Sequence, residues 1–138
     1  MTTNSRLTHL PAPAGVLPGN GYTQVVTGPG RLVVISGQVA ADEHGTLVGE
    51  GDPGAQARQV FENLRRCLAA AGATFDDVVK LTYFLTDVAH LPAIRAARDE
   101  FVDVTRPPAS SAVQVVALFK PEYLLEIEAF ALVGGSDA

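Results

Sequence analysis

Residues 52–72 read Asp-Pro-Gly-Ala-Gln-Ala-Arg-Gln-Val-Phe-Glu-Asn-Leu-Arg-Arg-Cys-Leu-Ala-Ala-Ala-Gly, and after a five-residue gap comes Val78-Val-Lys-Leu-Thr-Tyr-Phe-Leu85. In the first stretch Ala57, Val60, Phe61, Leu64, Leu68 and Ala71 recur at helical spacing, which makes one apolar stripe. Asp52 suits the N-cap because its carboxylate accepts a bond from a free backbone N–H, and Pro53 suits the first helical position. Gly72 supplies the stop. The second stretch reads as a strand with Val79, Leu81, Tyr83 and Leu85 on one face. A capped helix running straight into an apolar strand sets the architecture, and the flanks complete it.

Upstream, residues 1–21 are rich in Pro, Thr, Gly and Asn and read as an irregular N-terminal arm. Tyr22–Thr27 and Arg31–Ala40 read as two strands joined by the turn Gly28-Pro-Gly30. Leu32-Val-Val-Ile35 is apolar without alternation, as in a strand buried on both faces. Asp42-Glu-His-Gly45 is a polar turn, with a short strand at Thr46–Val48. Downstream, a second helix opens near Pro92 with the stripe Leu91, Ile94, Phe101 and Val102, and Thr105-Arg-Pro-Pro108 ends it. Strands at Ser111–Phe119 and Leu124–Val133 follow, and residues 134–138 form a flexible tail. Residues 22–133 are thus expected to be a single α+β domain, its sheet covered on one face by two helices. The strands carry apolar side chains towards both faces, so on the order of several hundred Å2 of apolar sheet is left open, which monomers rarely tolerate. Self-association through that face is the expected solution.

The 138 residues suit one domain with a real core. Apolar residues make up 47% and charged residues 18%, and this excludes intrinsic disorder. Net charge is −5 with no run of lysines or arginines, so the basic patch needed for phosphate contacts is missing and nucleic acid is not an expected partner. No apolar run reaches the ~20 residues of a membrane helix, and the first twenty residues lack a signal sequence. One cysteine, Cys67, fits a reducing compartment, and the expected location is the cytoplasm.

Among possible chemical motifs, Gly49-Glu-Gly-Asp-Pro-Gly54 matches GxGxxG, but Glu50 and Asp52 would repel a pyrophosphate, so it reads as a turn and N-cap. His9, His44 and His90 have no metal-ligand spacing with Cys67 and read as surface loop residues. Cys67 reads as a small packing residue. No serine sits in a nucleophile elbow. Charges in costly places carry more information. Glu126 and Glu128 share a strand face with Leu124, Phe130 and Leu132. Arg95 and Arg98 fall in or beside the buried sector of the second helix. Such charges either pair structurally across an interface or line a polar pocket between subunits.

The chain resembles the reactive-intermediate deaminase (Rid, YjgF-like) family, also called endoribonuclease L-PSP, over about Tyr22–Val133. The matching stretches are Val34-Ile-Ser-Gly-Gln38, Gln56-Ala-Arg-Gln59 with Glu62-Asn-Leu64, Ala70-Ala-Gly-Ala73, Asp77-Val-Val-Lys80, Phe84-Leu-Thr-Asp87, Pro108-Ala-Ser-Ser-Ala-Val113 and Glu126-Ile-Glu-Ala129. The resemblance implies a chorismate-mutase-like homotrimer with ligand clefts between subunits. It also implies hydrolysis of 2-imino or enamino acids to 2-keto acids and ammonia, with no metal or organic cofactor. Glu126 matches the glutamate that orients the attacking water, and Tyr22 and Ser36 match residues lining the same cleft. Gly37, Ser110, Ser111 and Ala112 complete the implied ligand-binding set.

Two positions depart from the pattern. Active deaminases carry a carboxylate-gripping arginine where this chain has Ser110. Losing two charged hydrogen bonds of roughly 1.5–3 kcal/mol each amounts to about 100- to 10,000-fold in affinity or rate. Arg95 replaces an asparagine of the cleft, so the positive charge is expected to come from the helix and to hold an anionic ligand from another direction. Its alternative is a pair with Glu126 or Glu128. The expected function is an imine- or enamine-hydrolysing member of the family. The alternatives are a non-catalytic metabolite-binding or regulatory member and, against the charge balance, a ribonuclease.

Overall fold

The computed structural model describes residues 6–134. Two short strands, β1 (Thr8–Leu10) and β2 (Val25–Thr27), pair antiparallel, and the main sheet contains β3 (Arg31–Gln38), β4 (Val78–Leu85), β5 (Ala109–Gln114) and β6 (Leu125–Val133). Its order is β3-β6-β4-β5, antiparallel except for the parallel pair β4–β5. Helices α1 (Pro53–Ala70) and α2 (Leu91–Arg98) pack together, and α1 lies against β3 and β6. The result is the expected α+β architecture.

Helix α1 starts and stops where its sequence dictates. Asp52 Oδ1 accepts the Ala55 N–H at 3.1 Å, Pro53 occupies the first turn, and Gly72 adopts φ +75° beyond the last turn. Its stripe of Ala57, Val60, Phe61, Leu64 and Leu68 is fully buried. These side chains meet Leu81, Tyr83 and Leu85 of β4 and Leu125, Ile127, Ala129 and Ala131 of β6 in one core. At its rim Phe61 stacks on Phe101 with ring centroids 5.6 Å apart and tilts against Phe75 at 6.1 Å.

Several expectations are corrected. The arm is not irregular throughout, since Thr8–Leu10 forms β1. Tyr22–Thr27 contributes only Val25–Thr27, and that strand pairs with the arm instead of with β3. Gly30, at φ +145° with its backbone pressed against the Val133 carbonyl, turns the chain across to β6. Leu32 and Val34 are 58% and 62% exposed while Val33 and Ile35 are buried, so β3 is covered on one face only. A register slip between Val78 and Lys80 turns Val78 into the core where alternation predicted Val79. Strand β5 ends at Gln114, and Val116 and Phe119 beyond it are exposed. Phe101 and Val102 lie past the end of α2. Thr46–Val48 makes only an isolated bridge, Ala41 to Leu47. His9 is on β1, with Nδ1 3.3 Å from the Arg106 guanidinium, and not in a loop. Of residues 134–138, all but Gly134 lie outside the described residues. Among the described residues no helix is long and apolar enough to cross a membrane.

Candidate functional site

The uncovered sheet face presents a mixed surface. Alternation along β6 sends Leu125, Ile127 and Ala129 into the core and Glu126, Glu128, Phe130 and Leu132 outward. The register aligns Glu126 with Phe84 and Val113, and Glu128 with Thr82 and Ser111. Both glutamates are half-buried, and neither side chain has a hydrogen-bond or ion-pair partner among the described residues.

Glu126 has a built neighbour in β3. The register slips between Ile35 and Gln38, so three steps of β3 oppose two of β6, and Ser36 and Gly37 drop out of the ladder. The slip lays Gly37 against the Glu126 carboxylate so closely that a Cβ there would collide with the Glu126 side chain. Any larger residue at this position would have to displace the Glu126 carboxylate, not the backbone. Ser36 points to the same open face, two residues along from exposed Val34. Gly37 also borders a cleft of about 630 Å3 between the end of β3 and the polar flank of α1, which includes Gln59, Asn63 and Cys67.

The remaining site residues gather at the other edge of the molecule. The Thr23 N–H donates to the Pro108 carbonyl at 3.2 Å and its hydroxyl to the Pro107 carbonyl at 2.5 Å. Arg98 Nη1 donates to the Gly21 carbonyl at 2.6 Å, and Arg98 Nε and Nη2 both reach Asp99. Gly21–Thr23 is thereby strapped between α2 and the start of β5. Tyr22 is held half-buried in this strap, where its hydroxyl accepts from Gln24 at 3.4 Å. Gly21, at φ +81°, faces Arg95, and a Cβ there would stand 2.9 Å from Nη1. Ser110 and Ala112 are registered with Leu81 and Tyr83, on the helix side of the edge strand β5.

The predicted residues therefore form two groups. Ser36, Gly37 and Glu126 meet on the open face, with Ser111 further along it. Tyr22 sits in the strap whose Gly21 lies against Arg95, and Ser110 and Ala112 lie on the helix side of the edge strand β5. The expected alternative pairing of Arg95 with Glu126 or Glu128 does not occur within the chain, because the sheet separates them. Arg95 is half-buried and has no carboxylate partner among the described residues.

Tyr83 is a residue that sequence reasoning assigned to the core and nothing more. Its ring is buried against Phe61, and its hydroxyl has no hydrogen-bond partner among the described residues. Burial pushes the phenol up to about 12, against the opposing pull of the Arg98 and Arg95 guanidiniums. The available signal was a tyrosine at a position whose neighbours, Leu81 and Leu85, are aliphatic.

Other perturbed groups lie near the arm. Burial and the neighbouring Arg106 lower the His9 pKa. Burial, then Asp103 and Asp77, raise that of Asp76, whose Oδ2 is buried without a partner among the described residues.

A two-helix layer on a mixed four-stranded sheet defines an α+β protein. Residues 13–133 match the Endoribonuclease L-PSP family, and the chain belongs to that family of Rid and YjgF proteins. It is 38% identical to a RutC family protein of Synechocystis over 88% of this chain and 91% of that one. It is 36% identical to the 3-aminoacrylate deaminase RutC of Acinetobacter baylyi, over 88% and 94%. The crystal structure of the Rid family protein YyfB from Yersinia pestis superimposes with a TM-score of 0.80 at 39% identity, covering 93% of this chain and 99% of that one.

Proposed function

We propose that this chain is a hydrolase for an imine- or enamine-bearing acid, working in a cleft formed between copies of itself. The observation that carries the reading is the division of the site: an unpartnered half-buried carboxylate at one place and an unpartnered half-buried guanidinium at another, in a single chain. Half-buried charges without partners are costly, and a second copy that docks the Arg95 edge against the Glu126 face supplies both with a common ligand. The relative named 3-aminoacrylate deaminase supports the substrate class.

In this reading Glu126 orients a water and takes up its proton as the oxygen adds to the C=N carbon. Return of that proton to nitrogen gives the carbinolamine, whose hydroxyl proton then passes to the amine nitrogen, by way of Glu126, as the C–N bond breaks, releasing ammonia and leaving the keto acid. Gly37 fixes the carboxylate, Tyr22, Ser36 and Ser111 line the cleft, and Arg95 holds the substrate's anionic group. The small Ser110 and Ala112 leave room for it. The trimer implied by the family resemblance is the assembly proposed, in the cytoplasm.

The test is ammonia release from freshly generated 2-iminoacids and 3-aminoacrylate, with sedimentation of the same sample. Turnover that Glu126→Gln abolishes, in a species of three chains, is expected. Equal rates for wild type and Glu126→Gln would overturn the catalytic assignment. Ser110, in place of the family's arginine, favours a second reading, a metabolite-binding member without turnover, which predicts ligand binding and no ammonia.

A further inference from the structure

We infer that helix α1 holds the Gly37–Glu126 contact in place through two amide side chains, Asn63 and Gln56, which act as positioning residues for the carboxylate. The inference rests on the proposed role of Glu126 and concerns what keeps that carboxylate where it is.

The contact lies where the sheet itself fixes it least. On β3 the ladder to β6 is broken between Ile35 and Gln38, so Ser36 and Gly37 have no registered partner. On β6 Glu126 stands one residue inside the strand, which begins at Leu125. Two segments outside the sheet adjoin the contact: residues 39–41 after β3 and residues 122–124 before β6. One amide of α1 grips each of them.

Asn63 grips the first. Its Nδ2 donates to the Val39 carbonyl at 3.1 Å and to the Ala41 carbonyl at 2.9 Å, and its Oδ1 accepts from Gln59 Nε2 at 2.8 Å. Gln56 grips the second. Its Nε2 donates to the Glu122 carbonyl at 3.0 Å and to the Gly49 carbonyl at 3.2 Å, while its Oε1 accepts the Leu124 N–H at 2.9 Å. Each amide uses both of its N–H bonds and its oxygen, so neither can flip without losing them. The two residues are about two helical turns apart and lie on one flank of α1.

Their setting distinguishes them from ordinary packing. Gln56 is fully buried, a costly place for an amide unless its bonds are made. The cleft of about 630 Å3 opens between residues 37–41 and the Gln59–Asn63 flank, and of Ser36–Ala41 only Ala40 enters the core. Asn63 therefore bridges a gap instead of closing a packed seam. Apolar contacts have no direction and allow segments to slide, whereas hydrogen bonds fix them at a set distance. That precision matters for a catalytic carboxylate, since a misplacement of about 1 Å costs on the order of 100-fold in rate.

The test reads the carboxyl carbons of Glu126 and Glu128 by 13C NMR in the full chain labelled at glutamate Cδ, with Glu126→Gln and Glu128→Gln giving the assignments. Glu128 shares the strand face of Glu126 and is the internal control. The variants are Asn63→Ala, Asn63→Asp, which keeps the shape and loses the donors, and Gln56→Met. In each the Glu126 resonance is expected to move while that of Glu128 stays. Turnover is expected to fall about 10- to 100-fold in kcat with KM little changed. Arg65→Ala, on the exposed side of the same helix, should leave both resonances in place. A Glu126 resonance unmoved by loss of either amide overturns the clamp. So does a Glu128 resonance that moves as far as that of Glu126, or an equal shift in Arg65→Ala, because both mark general loosening. If Gln56→Met fails to fold, the two Asn63 variants decide alone. A wild type that releases no ammonia overturns the hydrolase reading, and the resonances still decide the clamp.

Discussion

The two faces of the one sheet follow different rules. The face under the helices is aliphatic and closed: Leu81, Leu85, Leu125, Ile127 and Ala129 are buried there with the α1 stripe. The open face mixes Leu32, Val34 and Phe130 with Glu126, Glu128, Lys80 and Thr82, and its side chains are half-buried or exposed. Both faces come from the same strands, and alternation alone separates them. The closed face holds the fold together; the open one leaves apolar side chains such as Leu32, Val34 and Phe130 uncovered within the chain. Substitutions should therefore affect stability on one face and association or binding on the other.

The sharpest way to break this contrast is Phe61→Ala. The ring is fully buried and touches Phe75, Tyr83 and Phe101. Its loss is expected to cost about 3–5 kcal/mol, read as a lowered denaturant midpoint. Val34→Lys on the open face is the counterpart. Val34 is 62% exposed, so the isolated chain should fold with little change in far-ultraviolet dichroism, while sedimentation should shift to smaller species. If Val34→Lys unfolds the chain as Phe61→Ala does, or leaves sedimentation unchanged, the division of labour is wrong.

Between these lies Gly37→Ala. The added methyl collides with Glu126 rather than with the core, so the carboxylate must move. The expected outcome is strong loss of any Glu126-dependent turnover, with a melting temperature reduced by only a few degrees. Turnover at the wild-type rate would show that the Gly37–Glu126 approach is incidental.

How much of this was legible beforehand follows the same division. Helix α1 could be read because cap, stripe and stop all lie within one local segment. The Glu126–Glu128 face could be read because a strand's period is strictly two. What failed depends on contacts distant in sequence. The slip at Val78–Lys80 exchanges Val78 for Val79 against β6, and no local pattern marks it. The early end of β5 leaves Val116 and Phe119 exposed although their composition suits a strand, since apolar content states what wants covering and not what covers it. Arg95 and Glu126 were both singled out, but helical periodicity gives a sector and not the direction in which α2 docks, so their separation by the sheet was hidden. Tyr83 was hidden differently: its ring belongs to the core pattern, and only the tertiary surroundings deprive its hydroxyl of an acceptor.

The smallest expected effect sharpens the rule that the closed side tolerates no lone charge. Asp76 follows Phe75 at the rim of the core, with Oδ2 buried and Asp103 and Asp77 nearby. Desolvation first, then these two carboxylates, raise its pKa above 3.8, outweighing the attraction of Arg106. The folded state thus binds this proton more tightly than the unfolded chain does. Asp76 then favours folding in acid, and its contribution falls as pH rises from 3.8 through the raised value, leaving the whole penalty at neutrality. Asp76→Asn removes the charge while the Thr74–Asp77 capping box stays in place. It should raise the melting temperature slightly at pH 7, and the gain should shrink as pH falls towards 4. A gain that persists unchanged in acid, or a loss at neutrality, would mean that the carboxylate is held by an attraction outweighing its burial.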